Sequence, residues 1–198
     1  MKKQIAIFLF LIFTAAGLAA ETGYKGISWG SGEFFIELYE GKEESPLAFK
    51  LKESSVKVYE KQILGEKTNL YYTLMDDFGL ISVFYSTDEK NTERLKTKLT
   101  SKTLVDEVPF YKLDDGTIEL LKEMDEKDPE RVYEYLIGYT MMSMAMGLET
   151  EYRYKRPYST GEAQIFIYDY NDDTRLYIFE NVVPGRTVVV YFPHEEDY

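Results

Sequence analysis

The chain has 198 residues, with 35 acidic against 23 basic side chains, a net charge of −12, one histidine and no cysteine. An acidic surface of that size argues against nucleic acid and anionic membranes as partners, because both need Lys and Arg to neutralise phosphates. The lack of cysteine removes disulfides from any account of stability.

The chain opens on MKKQIAIFLFLIFTAAGLAA, residues 1–20. Lys2 and Lys3 precede an apolar run from Ile5 to Phe13, and small residues end at Ala19 and Ala20. That is the layout of a secretory signal peptide, with cleavage acceptable after either alanine. Its apolar centre is short for a membrane span, and an uncleaved N-terminal anchor is the alternative. No cysteine stands near the site, which excludes a lipid-anchored leader. Loss of Lys2 and Lys3 with the leader takes the net charge from −12 to −14. Residues 21–198 are expected to form a single α+β domain, long enough to bury its own core.

Residues 24–30, YKGISWG, begin a short ordered segment. Residues 32–41 are ambiguous: Phe35, Leu38 and Tyr39 fit helical spacing, whereas Phe34, Ile36 and Leu38 alternate as in a strand; the reading leans to a short helix. SVKVYEKQIL, TNLYYTLMD and LISVFYS, within residues 55–86, are rich in β-branched and aromatic residues. Breaks at Gly65-Glu66-Lys67 and Asp76-Asp77-Phe78-Gly79 separate them, predicting a three-stranded antiparallel meander. Ser86 or Thr87 can cap a following helix, which carries acidic residues first, lysines later, and a narrow apolar stripe of Leu95 and Leu99. EVPFYKL reads as an edge strand because Pro109 cannot serve a central one. DDGT turns into a short helix, IELLKEM.

Asp128-Pro129 is a strong helix start. The predicted helix runs from Pro129 to Met146 and stops at Gly147; being apolar on most sides, it is expected to be long and buried. The end of the chain returns to strands: TEYRYKR, AQIFIYDY, TRLYIFE and RTVVVYF, with turns at Asn171-Asp172-Asp173 and Pro184-Gly185. The tail PHEEDY is acidic and expected to fray. The predicted fold class is therefore α+β, with antiparallel β-meanders packed against a few helices.

Four stretches invite a functional assignment. DYNDDTRLYIFE offers oxygen ligands at Asp169, Asn171, Asp173 and Glu180 in calcium-loop spacing. Thr174 stands where the loop needs glycine, and strands flank it, so a β-hairpin is favoured and no tight calcium site is expected. GISWG, Gly26 to Gly30, matches G-x-S-x-G with Ser28 as nucleophile, but it precedes any sheet and the sole imidazole, His194, lies near the far end. A turn with Trp29 as a packed anchor is the better reading. MMSMAM, Met141 to Met146, could hold Cu(I) through thioethers, although core packing explains it more simply. A carboxylate pair of the glycoside-hydrolase kind is the enzymatic alternative, and no two residues can be named for it.

The 18 tyrosines suit strands and half-wet surfaces. Tyr152 and Tyr154 share one side of a strand, as do Tyr168 and Tyr170. If those strands pair, one face carries an aromatic cluster, which the helix from Pro129 to Met146 is expected to cover.

YKGISWG after a signal peptide, followed by VYEKQILGEKTNLYYTLMDDFGLISVFY, resembles a loose group of uncharacterised exported bacterial proteins. The matching residues are Gly26, Trp29 and Gly30, then Gly79, Leu80, Val83 and Tyr85; the YDYNDDTRLYIF hairpin is also similar. The resemblance implies helix-plus-meander units, distantly like small exported inhibitor and envelope-assembly modules, and it carries over no catalytic residues. The expectation is an exported, periplasmic or extracellular, non-enzymatic protein without cofactor or metal. Its partner would be an envelope protein, with no nucleic acid and no membrane span in the mature chain. A hydrolase with an unlocated site and a periplasmic metal-binding protein are the alternatives.

Overall fold

Among the described residues, seven strands form one antiparallel sheet. Ser54–Ile63 (β1), Glu66–Met75 (β2) and Gly79–Asp88 (β3) are the first meander; Thr103–Phe110 (β4), Ala163–Asn171 (β5), Thr174–Val183 (β6) and Arg186–Pro193 (β7) are the second. The order is β1-β2-β3-β7-β6-β5-β4, so the last strand of each meander meets the other at the centre. The computed structural model describes residues 23–41, 54–110 and 163–194, together with Asp115, Gly116, Ile118, Glu119, Gly138 and Met142. The helices with described bounds are short: Glu33–Glu40 (α1) and Thr92–Lys98 (α2), the latter preceded by a 3₁₀ turn at Glu89–Asn91.

The α+β expectation is thereby corrected. The two meanders are not separate units packed on helices but halves of a single sheet, and the fold is mostly β. The physical reason lies in β3 and β7, whose runs LISVFYS and TVVVYF are apolar on both faces. Such strands need a neighbour on each edge and cover on each side, and pairing with each other at the sheet centre supplies the missing edges. No long buried helix is found among the described residues. Of the stretch from Pro129 to Met146 only Gly138 and Met142 are described; both are helical and buried.

Register sorts the core into two layers. Val58, Tyr71, Phe84, Val190, Tyr177 and Ile167 stand side by side across β1, β2, β3, β7, β6 and β5 and point to one face. Tyr71 and Phe84 stack there at 4.8 Å and 9°. Gly138 and Met142 lie on this face: the Ser82 hydroxyl donates to Met142 Sδ at 2.8 Å, and Gly138 sits against the Phe84 ring. The next row, Tyr59, Leu70, Tyr85, Val189, Ile178 and Phe166, points the other way. Tyr24, Ile27, Ile36 of α1, Leu95 of α2 and Leu99 just after it cover it. Tyr168 belongs to this second face, so the expected cover is not found there: Gly138 and Met142, the described residues of the Pro129 to Met146 stretch, lie on the opposite side. Tyr152 and Tyr154 fall outside the described residues.

Smaller expectations resolve in the same way. The ambiguous stretch is helix α1, as the reading leaned. β3 runs on through Ser86 and Thr87, and Asp88 makes the cap instead, accepting from Lys90 N–H at 3.0 Å. β4 is an edge strand containing Pro109. Pro193 and His194 do not belong to a frayed tail, since Pro193 pairs with Thr174 and His194 N–H donates to the Asp173 carbonyl at 3.0 Å. Glu66 ties the β1–β2 hairpin to the sheet centre. Burial would raise its pKa, but donation from Asp88 N–H, Thr87 and Arg186 outweighs that and holds it below the usual carboxylate range.

Candidate functional site

The turn between β5 and β6 is a clamp on the start of the described chain. The Asp173 carboxylate accepts Gly23 N–H with both oxygens, at 2.8 and 3.0 Å. Asn171 Nδ2 donates to the Gly23 carbonyl at 3.0 Å. Thr174 is fully buried, and its hydroxyl oxygen accepts the indole N–H of Trp29 at 2.9 Å. The acidic turn therefore spends its oxygens on the chain itself. Asp169 stands opposite Arg175 and Glu180 opposite Gln164; five residues of strand separate them, roughly 17 Å, so the four candidate calcium ligands cannot converge. Among the described residues no group of three or more His, Asp or Glu is placed to hold a metal ion.

Replacing Asp173 with alanine leaves Gly23 N–H without its charged acceptor, at about 1.5–3 kcal/mol for a charge-assisted bond. The expected result is a melting temperature lower by about 5 °C and faster tryptic cleavage after Lys25. An unchanged cleavage rate would show that the clamp does not hold the segment.

The other sequence candidates disperse. Ser28 is exposed in the Tyr24–Ile27 turn region, while the His194 ring faces Asp169 at 3.6 Å and Arg175 at 3.4 Å. Trp29 is the packed anchor expected. Met142 is core; Met141, Met144 and Met146 lie outside the described residues.

Two features were not legible as sites. The first is α1, which is mounted with its apolar face outward. Glu33 and Glu37 pair with Lys57, and Glu40 pairs with Lys61 at 2.6 Å and accepts the Tyr72 hydroxyl. These bonds turn the acidic side toward β1, and Ile36 is the helix's buried residue. The i,i+4 pairs Phe34–Leu38 and Phe35–Tyr39 then face solvent, with Phe34 69% and Leu38 72% exposed. Gly30 N–H donates to the Leu80 carbonyl and Leu80 N–H to the Ser31 carbonyl, both at 2.9 Å. They hold the β2–β3 turn, with exposed Phe78, beside the start of α1.

The second is a cavity of about 310 Å³ between the sheet and α2. Tyr85, Tyr191 and Tyr170 form its floor, Tyr24 one wall, and Leu95 of α2 with the capping Leu99 the other. Edge-to-face contacts run from Tyr59 to Tyr72, Tyr24, Tyr191 and Tyr170, with centroids 4.7–6.0 Å apart. Burial pushes Tyr24, Tyr85 and Tyr191 above the ordinary tyrosine value, so they stay protonated. Lys25, Lys98 and Lys102 stand at the mouth. Partial burial lowers Lys25 below the usual lysine value; Glu40 opposes this, and Lys61 and Lys98 add to it. Sequence reasoning missed this site because its lysines come from segments that carry no shared motif. Among the described residues no helix is long and apolar enough to cross a membrane. No family model, no curated protein and no solved structure matches the chain.

Proposed function

We propose that the protein is an exported, non-enzymatic binding module that docks a protein partner of the cell envelope through the outward face of α1. The observation that carries this reading is the reversed helix. An amphipathic helix on a soluble domain ordinarily buries its apolar stripe; α1 commits its carboxylates to Lys57 and Lys61 and leaves four large apolar side chains in water. Burying one such side chain is worth about 1.5–3 kcal/mol, so a partner covering several gains a substantial share of its affinity there. Asp76 and Asp77 precede Phe78 on the adjoining turn and are exposed. The chemistry that fits is therefore an apolar groove with a basic rim, which suits an acidic chain. Export is supported by the charged, apolar and small-residue order of residues 1–20 and by the resemblance of the G-x-x-W-G segment to exported bacterial proteins.

The test compares the intact chain with its Phe34→Ser/Leu38→Ser variant in capture from envelope extract. Both side chains are exposed, so the variant should melt with the native protein. A partner retained by the native chain and reduced at least about tenfold with the variant is the expected result. Identical capture by both would overturn the reading. So would a native dimer that the variant converts to monomer, because the occupant would then be a second copy.

A further inference from the structure

The cavity under α2 is independent of the α1 face and calls for a different kind of occupant. Its described lining contains three lysines and no carboxylate, in a chain where acids outnumber bases 35 to 23. None of the three ammonium groups has a carboxylate within 4.0 Å among the described residues. Two of them stand over rings instead: Lys25 Nζ lies 5.0 Å from the Tyr24 centroid and Lys102 Nζ 4.7 Å from that of Tyr170. A ring face attracts a cation without neutralising it. The contrast with the other described lysines is internal, since Lys57, Lys61, Lys67, Lys90 and Lys96 are all ion-paired.

Three separate parts of the chain bring the charges together. Lys25 sits at φ +50° inside the tight turn closed by the reciprocal Tyr24–Ile27 backbone bonds at 3.0 Å. Lys98 ends α2, one turn beyond Leu95. Lys102 follows the Lys102 N–H to Leu99 carbonyl bond of 2.8 Å, which curls the chain back toward Tyr170. Below the charges the cavity becomes apolar and aromatic, with Ile63, Leu64, Leu95 and Leu99 around the tyrosines. Protonated tyrosine hydroxyls on the floor can donate but carry no opposing charge.

We propose that this cavity binds a small organic anion: a carboxylate or phosphate head held by Lys25, Lys98 and Lys102, on an aromatic or short aliphatic body that lies on Tyr170 and Tyr191. The size, about 310 Å³, is at the small end of ligand pockets. It suits a single soluble molecule rather than a two-chain lipid. Charge at the mouth and apolar surface below set the requirement for both parts of the ligand, because neither alone satisfies the whole lining.

The probe is 8-anilinonaphthalene-1-sulfonate, a fluorescent anion with an aromatic body, titrated into the intact chain. Saturable one-to-one enhancement is expected. Lys98→Gln and Lys102→Gln should each weaken it about tenfold, the scale of one charge-assisted contact, without shifting the melting temperature. Decanoate should displace the probe, whereas decanol, which keeps the body and lacks the charge, should not. Displacement by phosphatidylglycerol vesicles but not by decanoate would overturn the small-ligand assignment in favour of a lipid headgroup. Equal displacement by decanol, binding unchanged in both lysine variants, or no saturable binding would each overturn the proposal. The Phe34→Ser/Leu38→Ser variant should bind the probe like the native chain. Loss of binding there would place the probe on α1 and overturn the proposal without touching the partner-docking reading.

Discussion

Gly79→Ala should destabilise the protein by about 4 kcal/mol, a large part of the 5–15 kcal/mol that holds a typical domain together. Gly79 pairs with Met75 at the end of the β2–β3 turn, with φ at +68°. A side chain in the left-handed region costs roughly 1–2 kcal/mol by itself. The larger cost is steric. A Cβ here would stand 2.2 Å from the Gly30 carbonyl oxygen and 2.9 Å from that of Ser31. Both are backbone atoms and cannot rotate away. To make room, the 30–31 segment must leave Leu80, breaking both 2.9 Å bonds between them. Gly30→Ala is the internal control, with φ +78° but the Phe78 carbonyl oxygen at an ordinary 3.5 Å from its Cβ. Urea denaturation of the two variants separates conformational strain from collision. Equal costs would mean that the 30–31 segment is not pressed against the turn.

Gly138→Ala should carry the opposite sign from helix propensity. In an exposed helix this change stabilises by about 1 kcal/mol. Here the new Cβ would lie 1.9 Å from Phe84 Cε2 and 2.2 Å from Cδ2. Phe84 is buried and stacked on Tyr71, so its ring has little freedom to yield. Overpacking of this kind costs about 1–3 kcal/mol. Shortening the ring by Phe84→Leu should recover part of the loss, giving a favourable coupling in the double-mutant cycle. Stabilisation by Gly138→Ala alone would show that the helical residue does not rest on Phe84.

The strands were legible because their pattern is local. AQIFIYDY, TRLYIFE and RTVVVYF carry their own alternation and turn residues, and β5, β6 and β7 lie where those signals put them. The joining of β3 to β7 was not legible. The two are about 100 residues apart, as in Ser86↔Val188, and no turn chemistry specifies a pairing at that distance. Apolar runs on both faces told of burial but not of which neighbour. The orientation of α1 was hidden for a related reason. The spacing of Phe35, Leu38 and Tyr39 told of a helix but not of its orientation, because Lys57 and Lys61 on β1 decide which side of it meets the sheet. The lysine-mouthed cavity depends on Lys25, Lys98 and Lys102 meeting only after α2 folds onto the tyrosine face. Asp173 is the middle case: the hairpin reading was right, and the turn's acidic oxygens serve a residue that hairpin logic does not mention.

That clamp also sets an order of events. Gly23 and Asp173 are 150 positions apart, and the loop they close includes β1 to β5, five of the seven described strands. Contacts spanning so much chain form after local ones, because the closure entropy has to be offset first. β1 to β3 and β5 to β7 can each zip on their own turns, and the β3–β7 seam can then join them. The segment carrying Tyr24, Lys25 and Trp29 gains its anchor only once the β5–β6 turn exists. As the chain emerges N-terminus first, its earliest described residues are thus the last to settle. Until then the tyrosine face stays uncovered along Tyr72 and Tyr191, and the interval before docking is when a newly made molecule is most exposed to self-association.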